Sequence, residues 1–374
     1  MLKPVDDPRM LGKFAATLAG RPGTQVHVAG RGPVGAGAGP AEISLHPIFN
    51  GARLSWGRLA AQWRYGQLLR QLTPDLVIVH APELLPLTLL WQALGRGRKF
   101  VYDIRENYAL NVRTQRVYQG LARRGLAAGL RWVEARAARR AAGVILAEAS
   151  YAAQLPFLHE LPPGRVVVLE NKYQPQPGER RRPQPIKLPP PSEPLHLLYS
   201  GTVSELNGVW EAVAVAEQLR AAWPGGARLT VIGFCQQPGL LGPLRARAAR
   251  HADWLTLVGG AEPVPHADIV AAINRSHLGL LAYRPHPSTE RCRPTKLFEY
   301  LAHGLPVLAS PNPLWLALLQ AHGAGLALDF ERHIDGPLLV GRLRGRSFYP
   351  AGIPTDVQWA GEGKKLWHLL DSVI

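Results

Sequence analysis

The chain has 374 residues, 47% of them hydrophobic, two cysteines and no apolar run near 18 residues. That excludes a mostly disordered chain, a disulfide framework and a helical membrane span, and the length suits two domains. Of the net charge of +16, residues 1–194 hold 27 Lys+Arg against 13 Asp+Glu, and residues 195–374 hold 16 against 14.

Such asymmetry points to a polyanionic partner for the first half: nucleic acid, anionic lipid or a phosphorylated substrate. An Arg-over-Lys codon bias, visible as 35 Arg to 8 Lys, accounts for the same excess. Along that half, short apolar runs read as buried strands at Gln25–Ala29, Leu76–His80, Phe100–Asp103, Val144–Ala147 and Val166–Leu169. Helical periodicity fills Met10–Ala19, Leu54–Leu72 and Leu121–Ala142. Residues 174–194 crowd eight prolines around Arg180, Arg181 and Arg182 and read as a linker. Beyond it, strands are expected at Leu195–Tyr199, Leu229–Ile232, Leu255–Val258, Leu278–Ala282 and Pro306–Ala309. Between them lie helices at Val209–Ala222, Leu240–Ala252, Ala267–Asn274 and Lys296–His303. Apolar strands alternating with helices indicate parallel sheets covered on both faces, here two α/β doubly wound domains. The expected division is 1–173, the linker 174–194, 195–350, and a closing segment 351–374.

Gly30, Gly32 and Gly35 fit a dinucleotide-binding spacing after a strand, but Pro33 and further glycines follow instead of a helix, so a glycine-rich surface loop is expected. Tyr199-Ser200-Gly201-Thr202 ends a strand with a turn that lets backbone amides approach an anion. At Pro294-Thr295-Lys296 a helix opens with a proline, a capping threonine and a fixed positive charge. Glu299 lies one turn on, at i+3 from Lys296. These two residues are either an ordinary surface ion pair, worth roughly 0.3–0.5 kcal/mol, or an ammonium for a diphosphate beside a carboxylate for sugar hydroxyls.

The stretch Pro294–Val307 (PTKLFEYLAHGLPV) resembles the nucleotide-sugar motif of GT-B glycosyltransferases, specifically the large retaining family four. Ser200-Gly201-Thr202 with Asn207-Gly208 resembles it too, as do Lys3–Arg9, Pro74–His80, Tyr102–Tyr108 and Glu170-Asn171 of the first half. Trp359 and the helix Glu362–Val373 resemble the terminal helix that crosses back onto the first domain. The resemblance implies a GT-B fold of two Rossmann-like domains and a metal-independent hexosyltransferase without cofactor. It also implies retaining transfer from a nucleotide-sugar donor to a glycan or lipid-phosphate acceptor, in cell-surface polysaccharide or glycolipid synthesis. Gly201, Thr202, Asn207, Arg293, Thr295, Lys296, Leu297 and Glu299 would bind the donor, with Glu299 on the ribose hydroxyls. Arg105, Glu106 and Glu290 would take the catalytic positions, and His80 and Asp103 the acceptor side.

The chain departs from the family pattern at four places. The first of two paired glutamates is expected eight positions before Glu299, where Arg291 stands and Glu290 is one residue out of register. A loop lysine is replaced by Asn207, and an N-terminal-domain histidine by Arg105, which stays protonated and cannot act as a base. The opening strand of the first domain is expected to be missing, because Met1 falls directly before Leu2-Lys3-Pro4-Val5; a truncated gene model would produce this. A catalytically impaired GT-B protein that binds sugar nucleotide or glycan without transfer is therefore the alternative. Finally, Arg113, Arg116, Arg123, Arg124, Arg131, Arg136, Arg139 and Arg140 crowd residues 113–140 among Leu126, Trp132 and Val133. That segment reads either as an anionic-membrane contact or as a solvated arginine face. No nucleic-acid module is visible, and the expected location is cytoplasmic, peripheral on the inner face of the plasma membrane.

Overall fold

A computed structural model describes the chain except residues 1, 33–41, 52–56, 115–119, 177, 180 and 288, and describes residues 114, 120–123 and 238 by their backbone alone. The chain divides into two units, Met1–Gln176 with Trp359–Ile374, and Pro177–Gln358. No helix of the described residues is long and apolar enough to cross a membrane.

In the N-terminal unit, β3 (Leu76–Val79), β4 (Lys99–Ile104), β5 (Gly143–Leu146) and β6 (Val166–Val168) form a parallel sheet in that order. Strand periodicity assigns the two faces. Phe100, Tyr102, Ile104, Val144 and Leu146 pack with Leu85, Trp91 and the alanines Ala137, Ala138 and Ala141 of the Gly120–Arg140 helix. Val101 and Ile145 face the other way, against Phe14, Trp359, Leu366, Leu369 and Leu370. The terminal helix Trp359–Val373 thus completes this unit's second layer. Its approach is close: a Cβ on Gly143 would lie 2.9 Å from Leu369 Cδ1.

A separate parallel pair, β1 (Val26–Arg31) and β2 (Ile43–Phe49), has Val26 opposite Ile43. It closes a small core of its own with Val5, Met10 and Ala15. Where the opening strand is expected, a single parallel bridge joins Pro4 to Arg31. The Val5 amide donates to Arg31 O and the Arg31 amide to Lys3 O, both at 2.8 Å. Gly30 is consequently not loop but strand: a Cβ there would lie 2.6 Å from Val5 Cα, so only glycine lets the two backbones pass. Of the expected glycine-rich loop, residues 33–41 lie outside the described residues. Strand β2 escaped the sequence patterning because Pro47 and His46 interrupt its alternation. The helix expected from Met10 starts earlier, at Pro8, where the Asp7 carboxylate accepts the amides of Arg9 and Met10.

The C-terminal unit is one six-stranded parallel sheet. Its strands are β7 (Leu195–Thr202), β8 (Ala227–Phe234), β9 (Leu255–Gly260), β10 (Leu278–Leu281), β11 (Val307–Ala309) and β12 (Gly325–Ala327), in the order β12-β11-β10-β7-β8-β9. The order reverses between β7 and β10, and in open parallel sheets that reversal leaves a crevice outside the carboxyl ends of the two strands. The Pro-rich stretch is laid onto this unit rather than held free. Ile186 N–H donates to Gly304 O at 2.9 Å, and the Trp223 indole donates to Glu193 O at 2.8 Å.

Trp359 is 1% exposed, its amide donates to Tyr173 O at 2.7 Å and its indole to Thr17 Oγ1 at 2.9 Å. Trp359→Ala is expected to lower stability by about 3–5 kcal/mol, the usual cost of emptying a large buried aromatic site. Urea denaturation followed by far-UV circular dichroism measures it.

Candidate functional site

The crevice beyond β7 and β10 is built from close backbone approaches. Gly201 takes φ +90°, and a Cβ on Gly233 of β8 would lie 1.7 Å from Gly201 O. Ser200 is anchored beneath by the Tyr300 hydroxyl, 2.8 Å from its Oγ. The loop after Thr202 is braced by Asn207, whose Nδ2 donates to Thr202 O at 3.0 Å. Gly208, at φ +75°, brings that loop against the end of β10, where a Cβ would sit 1.6 Å from Ala282 O.

Lys296 rises into this region from the Thr295–Ala302 helix. It is only 7% exposed, and its Nζ has no hydrogen-bond partner among the described residues. The ammonium lies 4.7 Å from the Tyr199 ring centroid and 5.1 Å from that of Tyr283. Burial pulls its pKa down to about 7, with Glu299 acting in the opposite sense. Burying a cation with no counter-ion is costly, and the two ring faces offset only part of the loss. The expected Lys296–Glu299 pair is absent from the ion pairs: Glu299 is bound at 2.5 Å by Nε2 of His266, the first residue of the His266–Arg275 helix. Thr295 does not cap. Pro294 occupies the cap position, which makes no side-chain bond, and Thr295 is the first helical residue. Leu297 is wholly buried in the core, with its amide on Pro294 O.

The segment before this helix is held from below. Asn312 Nδ2 donates to Glu290 O at 2.8 Å, and the Trp315 indole to Cys292 O at 2.6 Å. Glu290 and Arg291 are exposed and Arg293 is half-buried. Sequence patterning missed Tyr283, His266, Asn312 and Trp315, and named Tyr199 only as the start of the Gly201 turn. Only Tyr199 carried a signal, its place beside Ser200-Gly201; the others reach the site from elements far off in sequence.

In the N-terminal unit, the expected acceptor-side residues meet around one buried carboxylate. Arg9 grips Asp103 with two parallel bonds, Nε to Oδ2 at 2.9 Å and Nη2 to Oδ1 at 2.7 Å. Its Nη1 reaches Leu169 O and Asn171 Oδ1, each at 2.9 Å. His80 Nδ1 lies 2.7 Å from Asp103 Oδ2, and Phe14 meets the ring edge-on. Burial would raise the Asp103 carboxyl, yet Arg9 and then His80 hold it well below the usual carboxylate range. Asp103 therefore positions rather than contacts: it is wholly buried and both its oxygens are occupied. Against a carboxylate, His80 Nδ1 is the donor, so the carboxylate fixes the orientation of the ring. Arg105 is engaged by Asp7 at 2.8 and 3.1 Å. Glu106 is paired with Lys3 at 2.7 Å and accepts from Asn111. The residue sequence reasoning undervalued is Arg9, which ties together three separate segments.

Residues 8–172 match the family profile described as Glycosyl transferase 4-like domain. The chain carries a glycosyl transferase 4-like domain over these residues, and its two parallel α/β units have the fold of GT-B glycosyltransferases. The fold is similar to that of WaaG, described as a glycosyltransferase involved in lipopolysaccharide biosynthesis, with TM-score 0.57, 16% identity, and 100% of this chain and 94% of that one covered. It is similar also to a UDP-forming α,α-trehalose-phosphate synthase from Burkholderia xenovorans, with TM-score 0.56, 13% identity, and 86% and 80% covered. A putative UDP-N-acetylglucosamine 2-epimerase from Listeria monocytogenes gives TM-score 0.54, 12% identity, and 89% and 83%. No curated protein sequence matches the chain at a significant level.

The unpartnered Lys296 ammonium carries a stability cost that depends on pH. In the unfolded chain Lys296 holds its proton up to about pH 10.5, and in the folded state only up to about 7. Between those values the unfolded chain binds more protons, so this group makes stability rise with pH. Lys296→Met is expected to raise Tm at pH 6.5, with the gain shrinking by pH 9.5, and to abolish pyrophosphate binding. Thermal melts and calorimetric titration check both.

Proposed function

We propose that the protein moves a sugar, with retention, from a nucleotide-sugar donor held on its C-terminal unit to a glycan or lipid-phosphate acceptor. The observation that carries this is the buried Lys296 ammonium without an anion, set beside the left-handed Gly201 turn and one helical turn from Glu299. A diphosphate supplies the missing counter-charge, with Gly201 and Thr202 amides close to it. Glu299 accepts the ribose hydroxyls, and His266 fixes its carboxylate for that role. Arg293 lies near enough in sequence to add charge, while Asn207 and Thr295 shape the loop and the helix start.

The chemistry is electrostatic. As the bond from the anomeric carbon to the phosphate oxygen breaks, the electron pair goes to the diphosphate, where Lys296 stabilises the growing charge. The sugar becomes oxocarbenium-like, the acceptor hydroxyl attacks from the same face, and its proton passes to the departing phosphate oxygen. Arg105, locked on Asp7, contributes field rather than proton transfer; Glu106 and the His80–Asp103 pair are the N-terminal unit's groups for an acceptor hydroxyl. Glu290 is exposed beside the helix start, on the same loop as Arg291.

Calorimetry with UDP and GDP should show Glu299→Ala weakening the preferred nucleotide by roughly 10–100-fold, the worth of hydrogen bonds to a charged group. Equal binding by both proteins removes Glu299 from the donor site. A donor-turnover assay separates the enzyme from the impaired alternative: nucleotide binding with no sugar released or transferred identifies the latter.

The cytoplasmic, membrane-peripheral location is part of this proposal. The Gly57–Leu72 helix exposes Leu59 and Trp63 (64%), the Leu85–Ala93 helix Leu90, and the Gly120–Arg140 helix Leu126 and Trp132 (68%). The Leu85–Ala93 helix lies between the other two. Arg124, Arg136 and Arg140 are exposed on the last of them, whereas Arg131 is bound to Asn107 and Arg139 to Glu160. Arg116 and the side chain of Arg123 lie outside the described residues. Exposed aromatics among arginines suit an anionic lipid interface. Trp63→Glu with Trp132→Glu is expected to cut co-sedimentation with phosphatidylglycerol vesicles at least fivefold, while sparing UDP binding.

A further inference from the structure

The C-terminal unit carries a second concavity at the opposite end of its sheet from Gly201. A cavity of about 930 Å³ opens beneath the amino ends of β7, β8 and β9 and the turn before β10. The sheet is parallel, so His196 at the start of β7 is separated from Gly201 by about 16 Å of strand, at 3.3 Å per residue. Nothing in the donor site explains its lining.

That lining is cationic and lacks counter-ions. Arg228, Arg275 and Lys187 contribute exposed side chains that form no salt bridge with a described acidic residue. Arg182, from the Pro-rich strap, is pinned over the cavity by its bond to Asn274 O at 2.6 Å. The lining's acidic residue, Asp253, is already held by Arg220 at 2.7 Å. At the cavity wall, His277 Nδ1 accepts the His196 amide at 3.0 Å, so the neutral ring keeps its proton on Nε2 as a donor. Burial, then His196 and Arg182, push the His277 pKa down to about 4, which keeps that ring neutral at pH 7. The Asn274 side-chain oxygen is buried and has no hydrogen-bond donor among the described residues. Four cations and an imidazole donor call for phosphate oxygens, while an unmet buried acceptor calls for a hydroxyl on the same ligand. The volume is that of a small-molecule site.

We propose that this cavity binds a phosphorylated sugar or polyol, with its phosphate groups on Arg228, Arg275 and Lys187 and a hydroxyl on Asn274. The site is independent of the donor crevice, being formed by the other end of the same strands.

Fructose 1,6-bisphosphate is a suitable probe, titrated calorimetrically into the full-length protein, the Lys296→Met variant, Asn274→Ala and the double variant Arg228→Glu/Arg275→Glu. Both arginines are exposed, so the double variant should melt within a degree or two of the parent. Expected are one binding event retained in Lys296→Met, a Kd at least tenfold higher in the double variant, and a severalfold rise in Asn274→Ala. Loss of binding in Lys296→Met with retention in the double variant would place the anion in the donor crevice and overturn the proposal. So would no binding by the parent at millimolar probe, or a double variant that loses only phosphatidylglycerol-vesicle binding, since the arginines would then serve lipid headgroups.

Discussion

One uncompensated charge organises the C-terminal unit. Lys296 is held in a nearly dry position against two tyrosine rings, and the cost of keeping it there falls on the folded state whenever no anion is bound. The surrounding features make sense as supports for that one ammonium. Gly233 lets β8 pass against the Gly201 carbonyl, and Gly201 lies beside the lysine's Cε. Tyr300 both shapes the floor and ties Ser200 in place. Asn312 and Trp315 fix the loop that delivers the helix carrying it.

The N-terminal unit treats charge in the opposite way. Around Asp103 its ionic groups are paired with one another: Arg9 and His80 with Asp103, Arg105 with Asp7, and, nearer the surface, Lys3 with Glu106. A network of this kind contributes orientation more than binding energy, because each desolvated charge already has its partner. His80 is held in this network through its inner nitrogen, on Asp103. A carboxylate that cannot reach solvent therefore determines how a histidine that partly can is presented.

Much of this was legible in the sequence, for identifiable reasons. Buried parallel strands are near-continuous apolar runs, so Phe100–Asp103 and Leu278–Ala282 announced themselves, and so did the helix bearing Lys296 and Glu299. Strand β2 did not, because Pro47 disrupts its pattern where the strand's exposed face tolerates it. Helices such as Pro313–Ala321 are too uniformly apolar to show a periodic stripe. At the site, residue types were readable but pairings were not. Spacing placed Glu299 beside Lys296, yet a histidine 33 positions away takes the carboxylate, and the ammonium turns to aromatic rings. Likewise Arg105 looked available to a substrate until Asp7, 98 positions earlier, proved to hold it.

The single bridge at Pro4 has a consequence for how the N-terminal unit comes apart. Strands β1 and β2 share a ladder with each other and a private core of Val5, Met10, Ala15, Val26, Val28 and Ile43, but no ladder with the four-stranded sheet among the described residues. Opening that pair breaks none of the hydrogen bonds that hold β3 to β6 together. Ile48 of β2 still packs into the central sheet's core, so the pair is tied to that sheet by side chains and not by a ladder. To open the small lobe, the chain has to give up packing and side-chain bonds, such as Arg9 to Asp103, rather than strand pairing.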